Sequence, residues 1–250
     1  MATSANNFTK VIHREPYAAI SPSRPELSQK DKVVLVTGSS GGIGLAIARA
    51  FGKASVANII LTGRRQGPLD KAVSTLSKEF PLTIFTARLN DVSDTSSVEN
   101  LWKSFDAEGL IVDVLILNVA RVQTAGSILE IGYQEVMADL ATNASSLAVF
   151  THYFYHQKKR DVSQKLIVSF HPGSIFTAAA ETAGYTRETL DWDDEDLPGH
   201  YAVWAASNEA KFLHGRFAWA AWDVDEMSSG KIRELIDGNA NYLKVGVNGL

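Results

Sequence analysis

The chain has 250 residues, of which 45% are apolar and 21% are charged, so it can bury the core of one large globular domain. Its 24 Lys and Arg residues against 28 Asp and Glu residues give a formal net charge of −4, which argues against nucleic acid and anionic membranes as partners. The absence of cysteine excludes disulfides, thiolate catalysis and cysteine-based zinc sites. No apolar run approaches the roughly 20 residues that span a bilayer, so we expect a soluble, cytoplasmic protein.

The N-terminal segment differs in composition from the rest of the chain. Residues 1–31 contain Pro16, Pro22 and Pro25 and precede the first apolar run, which predicts an extended arm. Residues 32–250 show neither an internal repeat nor a linker, so we expect them to form a single domain.

Short apolar runs alternate with amphipathic segments along the first half of the chain. The runs are rich in Val, Ile and Leu without polar alternation, which indicates strands buried on both faces of a parallel sheet. They are "KVVLVTG" (32–38), "NIILTG" (58–63), "LTIFTA" (82–87) and "VDVLILN" (112–118). The segments between them carry apolar residues at helical spacing. The pattern predicts an α/β fold of Rossmann type, a doubly wound parallel sheet with helices on both faces.

The stretch "TGSSGGIG" (37–44) lies between the first predicted strand and the first predicted helix. Gly38 permits a sharp turn, Gly42 lets the backbone approach a pyrophosphate, and Gly44 lets the helix pack on the strand. The free N–H groups of the helix N-terminus would bind the anion. The alternative is a plain turn with glycine at positive φ. The predicted cofactor contacts in this loop are Gly38, Ser40, Gly42, Ile43 and Gly44.

The second predicted strand ends in "LTGRR", with Arg64 twenty positions after Gly44. An acidic residue at this place holds the ribose 2′-hydroxyl of NAD, whereas an arginine suits the 2′-phosphate of NADP. NADP(H) is therefore the predicted cofactor. The alternative is that Arg64 and Arg65 only solvate the start of a helix.

Two further strand ends carry candidate cofactor residues. After the third strand, in "LNDVSD", Asp91 could accept a hydrogen bond from the adenine amino group and Val92 could line its face, although Asp is also a common helix N-cap. After the fourth strand, "LNVA" puts Asn118 and Ala120 at the carboxyl edge of the sheet, where ligands of open α/β sheets bind.

These motifs resemble the short-chain dehydrogenase/reductase family. The glycine motif TGxxxGxG is matched in full, the Asp-Val motif is Asp91-Val92, and the NNAG motif appears as "NVAR" (118–121) with two departures. The arm "FTKVIHREPYAAISPSRPEL" and the C-terminal "DDEDLPGHYAVWAASNEAKFLHGRFAWAAWDVDEM" resemble fungal members found among secondary-metabolite oxidoreductases. The resemblance implies an NADP(H)-dependent oxidoreductase that acts on a carbonyl or alcohol group of a small molecule.

The resemblance also implies a proton relay that this chain does not carry in full. Asn143 matches the Asn that supports a water in the relay, and Pro172 and Gly173 match the Pro-Gly segment that follows the last catalytic helix. Between them the family has a strand ending in Ser and a helix bearing Tyr-x-x-x-Lys, so roughly 40 residues, about a strand, a helix and their loops, are absent. Without these groups hydride transfer has no matched proton transfer. The Pro-Gly segment is expected to contact the nicotinamide through Pro172, Gly173, Ile175 and Thr177.

Two alternatives would supply the lost catalytic groups. Tyr155 and Lys159 in "YHQKK" have the Tyr-x-x-x-Lys spacing that puts both side chains on one helical face, although the basic run also suits a helix C-terminus. With Asn143 they are the candidate catalytic residues. Alternatively, the Pro-Gly strand could occupy the place of the Ser strand, with Ser174 near the missing serine and Tyr185 as the tyrosine.

Other constellations indicate little chemistry. His152 and His156 lie four apart on a predicted helix but have no third metal ligand. The acidic run "DWDDEDLPGH" (191–200) could hold a cation but better suits a solvated helix approach. In "GRFAWAAW" (215–222), predicted to be the final strand, Trp219 and Trp222 are expected to pack in the interior or in a subunit interface.

Two classes of function therefore stay open. The first is an oxidoreductase with an impaired relay, and a homodimer is compatible with the loss of the tyrosine helix. The second is a catalytically inactive dinucleotide-binding protein, including a shortened product of splicing or of gene prediction. An isomerase or cyclase that uses the old pocket is a third, with no positive signal in the sequence.

Overall fold

A computed structural model describes residues 8–122, 127–158 and 166–244. The chain divides into two compact units. The central unit is Gln29–Ser163, and the terminal unit combines Met1–Ser28 with Gln164–Leu250. The single domain expected over residues 32–250 stays a prediction.

The central unit contains a parallel sheet of four strands in the order β3-β2-β1-β4. The strands are β1 (Val33–Thr37), β2 (Asn58–Gly63), β3 (Ile84–Leu89) and β4 (Val114–Ile116). The chain builds outward from β1 to β3 and then returns to the other side of β1. This reversal makes a switch point between β1 and β4, which is where open α/β sheets bind ligands.

Helices connect these strands and cover the sheet. They are α1 (Gly42–Lys53), α2 (Gln66–Glu79), α3 (Thr95–Glu108), α4 (Ile128–Ile131), α5 (Tyr133–Leu140) and α6 (Ser146–Tyr155), with a π-helical turn at Ala141–Ser145 between the last two. Trp102 and Phe105 of α3 and Phe150 of α6 form one buried cluster with Leu35 of β1 and Ile60 of β2. The apolar side chains that recur at helical spacing thus form the core of the central unit. The predicted Rossmann-type α/β fold is confirmed.

The predicted burial of both faces holds for β1 and β2 but is wrong for β3. Residues 34–37 and 59–62 are buried, whereas Ile84 is 64% exposed and Leu89 is 56% exposed. The reason is position, because β3 is the edge strand of this sheet. The third strand also begins two residues later than predicted, at Ile84 instead of Leu82.

The edge formed by β4 corresponds to the place where the family's Ser strand is expected. Among the strands in the described parts of the chain, none pairs with β4 on the side away from β1. The next strand, β5 (Val168–His171), pairs in parallel with β6 (Arg216–Trp219). The alternative in which the Pro-Gly strand takes the place of the Ser strand stays a prediction.

The terminal unit is built around this two-stranded sheet. Its helices are α7 (Ala178–Thr182), α8 (Leu197–Ala205), α9 (Val224–Ser228) and α10 (Gly230–Gly238), with a 3-10 helix at Asn208–Leu213. Tyr201 and Trp204 of α8 are fully buried, and Phe170 of β5 lies against Tyr201 with ring centroids 4.9 Å apart. The final strand, predicted over 215–222, is shorter than expected.

The N-terminal segment is folded against the C-terminal part of the chain, which corrects the expectation of an extended arm. Ile20 and Leu27 in its two 3-10 turns are fully buried. The carboxylate of Glu226 accepts hydrogen bonds from the backbone N–H groups of Lys10 and Val11, both at 2.9 Å. The N-terminal segment packs in this way because its apolar side chains, such as Ile20 and Leu27, are buried there.

Candidate functional site

The loop between β1 and α1 has a geometry that requires glycine at several positions. Gly38 and Gly42 have φ values of 65° and 53°, which L-residues with side chains rarely adopt. A Cβ added to Gly44 would overlap the carbonyl oxygen of Gly38 and lie 2.7 Å from Nδ2 of Asn118. Because these glycines have no side chain, the backbone of the loop can lie close both to a ligand and to the end of β4. The first N–H groups of α1 begin at Gly42, directly after the extended Gly41.

Side chains below the loop hold it to the sheet. Ser39 is fully buried, donates from Oγ to the carbonyl of Val36 at 2.8 Å and accepts from the N–H of Thr62 at 3.0 Å. Asn118 donates from Nδ2 to the carbonyl of Thr37 at 3.0 Å. Asn118 is thus a brace between β1 and β4 in this structure. Ser39 was not among the predicted site residues, and its only sequence signal is its place inside the glycine motif.

A cleft of about 270 Å³ opens at the carboxyl edge of the central sheet. It contains six of the predicted cofactor residues, from all four strand ends. Its lining residues are Gly38, Ser40, Thr62, Gly63, Arg64, Arg65, Asn90, Asp91, Val92, Ser93, Val119, Ala120, Arg121 and Thr142. Gly42, Ile43, Gly44 and Asn118 are the predicted residues of this unit that shape the loop beside the cleft without lining it.

Two arginine side chains lie at the end of β2, and the charge of Arg64 acts on Asp91. The side chains of Arg64 and Arg65 are exposed, and neither forms a hydrogen bond or an ion pair with another residue of the described chain. Other arginines of the central unit, such as Arg49 and Arg88, pair with Glu79 and Glu108. The cleft therefore has an arginine pair available for an anion.

Asp91 forms a turn and does not cap α3. Its Oδ1 accepts hydrogen bonds from the N–H of Ser93 at 2.9 Å and from Oγ of Ser93 at 2.7 Å. The N-cap is Asp94, whose side chain accepts from the N–H of Ser96, so the capping alternative for Asp91 is wrong. The bonds from Ser93, with a contribution from the Arg64 charge, lower the pKa of Asp91. Asp91 is thus a carboxylate acceptor in the cleft.

Asn90 is a lining residue that the sequence did not single out. It is 3% exposed, and its Nδ2 donates to Oγ of Ser97 at 3.1 Å. Its Oδ1 is buried without a hydrogen-bond partner among the described residues. A buried acceptor without a donor is costly, so its presence in the wall fits a ligand-binding role for the cleft better than a purely structural one.

Asn143 occupies the π-helical turn between α5 and α6 and is bonded to Arg121. Its Oδ1 accepts from the N–H of Arg121 at 2.8 Å and its Nδ2 donates to the carbonyl of Arg121 at 2.7 Å. The Arg121 guanidinium pairs with Glu135 and Asp139 of α5. The two departures from the NNAG motif therefore include a residue that ties the end of β4 to the helix. Single π-turns are frequent at functional sites.

Tyr155 lies away from this cleft, which argues against its predicted part in the relay. It ends α6, twelve residues after Asn143, and a helix rises about 18 Å over that length. Gln157, two residues further, binds the N–H and the carbonyl of Val112 at 2.8 Å and 3.1 Å. Val112 precedes β4, so Tyr155 lies toward the amino edge of the sheet. Lys159 lies outside the described residues.

The predicted Pro-Gly contacts belong to the terminal unit. Gly173 has a φ of 101°, Ile175 is 7% exposed, and Thr177 caps α7 by accepting from the N–H of Ala180 at 3.3 Å. Pro172 is partly buried beside Gly173. These residues form a compact turn between β5 and α7.

The remaining residues that the sequence singled out make packing contacts with neighbouring side chains. The rings of His152 and His156 are 4.4 Å apart, and no group of three or more metal-ligating side chains occurs in the described chain. Trp222 is 5% exposed and lies against Phe8, and Trp219 is partly buried and stacks on His171. None of the described helices is both long and apolar enough to cross a bilayer.

Comparison with known proteins identifies the family to which the chain is similar. The profile of the short chain dehydrogenase family matches residues 32–177. "Short chain dehydrogenase/reductase nsrO" of Aspergillus novofumigatus is 29% identical, with 96% of each chain covered. A "Short chain dehydrogenase/reductase" of Claviceps purpurea is 30% identical, with 98% of each chain covered. An "NADP-dependent 3-hydroxy acid dehydrogenase" of Schizosaccharomyces pombe is 25% identical over 64% of this chain and 66% of its own.

Solved structures share the fold. A putative short chain dehydrogenase from Pseudomonas syringae has a TM-score of 0.68 at 17% identity, covering 79% of this chain and 97% of its own. A putative short chain dehydrogenase from Shigella flexneri, solved with NADP, has a TM-score of 0.68 at 16% identity, covering 79% of this chain and 99% of its own.

The fungal alignments also contain positions that this chain does not fill. They extend over 286 and 296 positions, whereas the chain has 250 residues, so at least 36 and 46 positions respectively have no residue of this chain. This is similar in size to the segment that was predicted to be absent. With a matching profile over more than half its length and relatives along nearly all of it, the chain belongs to the short-chain dehydrogenase/reductase family.

Proposed function

We propose that this protein binds NADP(H) and is an oxidoreductase acting on the carbonyl or alcohol group of a small molecule, with an incomplete proton relay. The observation that carries the proposal is the arginine pair, Arg64 and Arg65, unpaired beside a glycine loop at the switch point of the sheet. The cytoplasmic location and a role in secondary metabolism stay predictions.

The residues of the cleft fit this cofactor in parts. The N-terminus of α1 at Gly42 and Ile43 would bind the pyrophosphate, and Ser40 with Arg64 and Arg65 would bind the 2′-phosphate. The adenine would lie at Asp91 and Val92. The nicotinamide end would use Ala120 beside the Asn118 brace. The nicotinamide contacts of Pro172, Gly173, Ile175 and Thr177 stay predictions. The NADP named for the Shigella structure and for the Schizosaccharomyces relative supports this choice of cofactor.

The proposed activity lacks an evident group for the proton transfer that must accompany hydride transfer. NADP(H), when bound, supplies or accepts a hydride at its nicotinamide ring. The protein must move the matching proton. Among the described residues that line the cleft there is no Tyr or Lys, and the hydroxyl groups are those of Ser40, Thr62, Ser93 and Thr142. Asn143 holds the backbone of Arg121 with both of its polar groups. The relay is therefore incomplete.

A second function is favoured by the same geometry. With Tyr155 some 18 Å along the helix from Asn143, an NADP(H)-binding protein without turnover is the alternative. The two functions share the binding step and differ only in the chemical step, so binding is the property to measure first.

Replacing Arg64 and Arg65 together with alanine should weaken NADPH binding about 10- to 100-fold and leave NADH binding unchanged. The reason is that charge-assisted hydrogen bonds to a phosphate are lost, and NADH has no 2′-phosphate. The measurement is a titration of purified protein with each cofactor, following bound-cofactor fluorescence. Arg88→Ala is the matched control, because Arg88 lies next to the last residue of the neighbouring strand β3 but is paired with Glu108.

The titration can also contradict the proposal. If the folded wild-type protein binds neither cofactor, the glycine loop is a relic and the oxidoreductase proposal fails. If the double variant loses NADPH and NADH equally, the arginines act on the fold of the loop and NADP(H) preference is not their role.

We also propose that the protein is a homodimer that buries an apolar face of the helical segment 128–147. This face exposes Leu129, Tyr133, Met137, Leu140 and Leu147 to solvent by 40 to 90%. Exposed apolar patches of this kind mark interfaces. Met137→Lys should give a monomer in light scattering, whereas Gln134→Lys, exposed on the same helix, should not. A monomeric wild-type protein would contradict the proposal.

A further inference from the structure

Two histidine side chains lie next to each other at the C-terminal end of α6. His152 and His156 are one helical turn apart, and both are exposed. Sequence spacing alone predicts only that the two side chains share a helical face. In the structure the rings meet, with centroids 4.4 Å apart and an angle of 36° between their planes.

The contact between the two residues determines which nitrogen of His156 is free. Nδ1 of His156 donates a hydrogen bond to the carbonyl oxygen of His152 at 2.8 Å. Because a carbonyl oxygen can only accept, the proton is on Nδ1 and the lone pair is on Nε2. Histidines that bind metals commonly donate their other ring N–H to a backbone carbonyl, which fixes the orientation of the ring. Within the described chain, neither Nε2 of His156 nor the ring nitrogens of His152 have a hydrogen-bond partner.

The distance between the rings allows one ion to bind both of them. A zinc ion at about 2.0–2.1 Å from a ring nitrogen lies about 3.2 Å from the centroid of that ring. With the two centroids 4.4 Å apart, the ion can bind both rings at an angle of about 90°. Neutral imidazole ligands suit Zn²⁺, Cu²⁺ and Ni²⁺, whereas Mg²⁺ and Ca²⁺ prefer oxygen ligands.

The surroundings of the pair carry little charge that would repel a cation. No charged residue lies between Asp139 and Lys158 in the sequence, and the ammonium group of Lys158 is paired with Asp106 at 2.6 Å. No third metal-ligating side chain joins the two histidines within the described residues. Water would therefore fill the other coordination positions, and the ion would exchange with solvent instead of holding the fold together.

We propose that His152 and His156 form a site for one divalent transition-metal ion such as Zn²⁺, bound by two imidazole nitrogens and completed by water. The inference is independent of the proposed function, because the pair flanks Tyr155 toward the amino edge of the sheet and lies away from the cofactor cleft. A bound ion would close the last turn of α6, in which the N–H of His156 already donates to the carbonyl of His152 at 3.1 Å. The next residue, Gln157, is the one that braces Val112 before β4.

The test is a calorimetric titration of the full chain, without an affinity tag, with Zn²⁺. We expect one ion per chain at this site. His152→Ala and His156→Ala should each weaken Zn²⁺ binding about tenfold or more, because each removes one of the two protein ligands. Mg²⁺ should not bind to the pair, because imidazole nitrogen is not a ligand that it prefers.

Two control variants separate chelation from the general affinity of histidine for metals. The chain has six histidines, and His214→Ala, which removes an exposed one on the terminal unit, should leave Zn²⁺ binding unchanged. The double variant His152→Ala/Thr151→His keeps two histidines on α6 but separates them by five positions, so that they point to different sides of the helix. This double variant should bind Zn²⁺ as weakly as His152→Ala.

Thermal unfolding gives a second readout of the same site. Zn²⁺ should raise the unfolding temperature of the wild-type protein more than that of His156→Ala, because the ion binds the folded helix. The proposal is overturned if folded wild-type protein binds no Zn²⁺, or if both alanine variants bind it as the wild type does. Wild-type affinity in the double variant would show that the histidines act singly, which also overturns the site.

Discussion

Gly44→Ala should weaken NADPH binding about 10- to 100-fold. The added Cβ meets the carbonyl oxygen of Gly38 and Nδ2 of Asn118, which lies 2.7 Å away. Neither is the far end of a flexible side chain, since Asn118 is itself bonded to the carbonyl of Thr37. Overpacking of this kind costs about 1–3 kcal/mol and is relieved here only by moving the loop. The measurement is a fluorescence titration together with thermal unfolding.

A control for this variant lies in the same loop. Gly41 is extended, with φ −179°, and a Cβ added to it meets no atom within 4 Å. Gly41→Ala should therefore bind NADPH within a factor of about two or three and unfold at the wild-type temperature. If Gly44→Ala bound NADPH as well as Gly41→Ala does, the cofactor would not use this loop.

The protein should reduce carbonyl substrates about 10²- to 10⁴-fold more slowly than a family member that carries the serine strand and the Tyr-x-x-x-Lys helix. This range is the usual contribution of a positioned proton donor to the rate. The remaining rate would come from holding a cofactor beside a carbonyl. Single-turnover oxidation of bound NADPH with a panel of aldehydes and ketones measures it.

Tyr155→Phe is the decisive variant for the residual rate. Since Tyr155 ends α6 near the amino edge of the sheet, the substitution should leave the rate unchanged. A tenfold loss in Tyr155→Phe would contradict this and return Tyr155 to the relay. A wild-type rate equal to that of the complete family member would show that another group supplies the proton.

The glycine loop shows how much of the site local sequence can predict. Gly38, Gly42 and Gly44 were expected to have special roles because backbone conformation and close approach are local properties, and the structure has two of them at positive φ and the third in contact with Gly38 and Asn118. Arg64 was predicted from its distance to Gly44, which a βαβ unit makes nearly constant.

The sequence could not distinguish which of several polar residues serve the site. Asp91 and Asp94 both suit an N-cap, and only the start of α3 at Thr95 gives that role to Asp94. Asn90 and Ser39 are polar residues at strand ends like many others. Their importance arises from burial and from partners such as Ser97 and Thr62, which are remote in sequence.

The sequence by itself determined the Rossmann-type fold, the family and the glycine loop, because these depend on periodicity and spacing. Only the tertiary structure decided that Tyr155 is about three helical turns from Asn143, that β3 is exposed at its edge and that the arm is packed through Arg14 and Asp193. These features depend on which surfaces meet across long stretches of chain. Such contacts are set by burial and hydrogen bonding in three dimensions, which local patterns do not record.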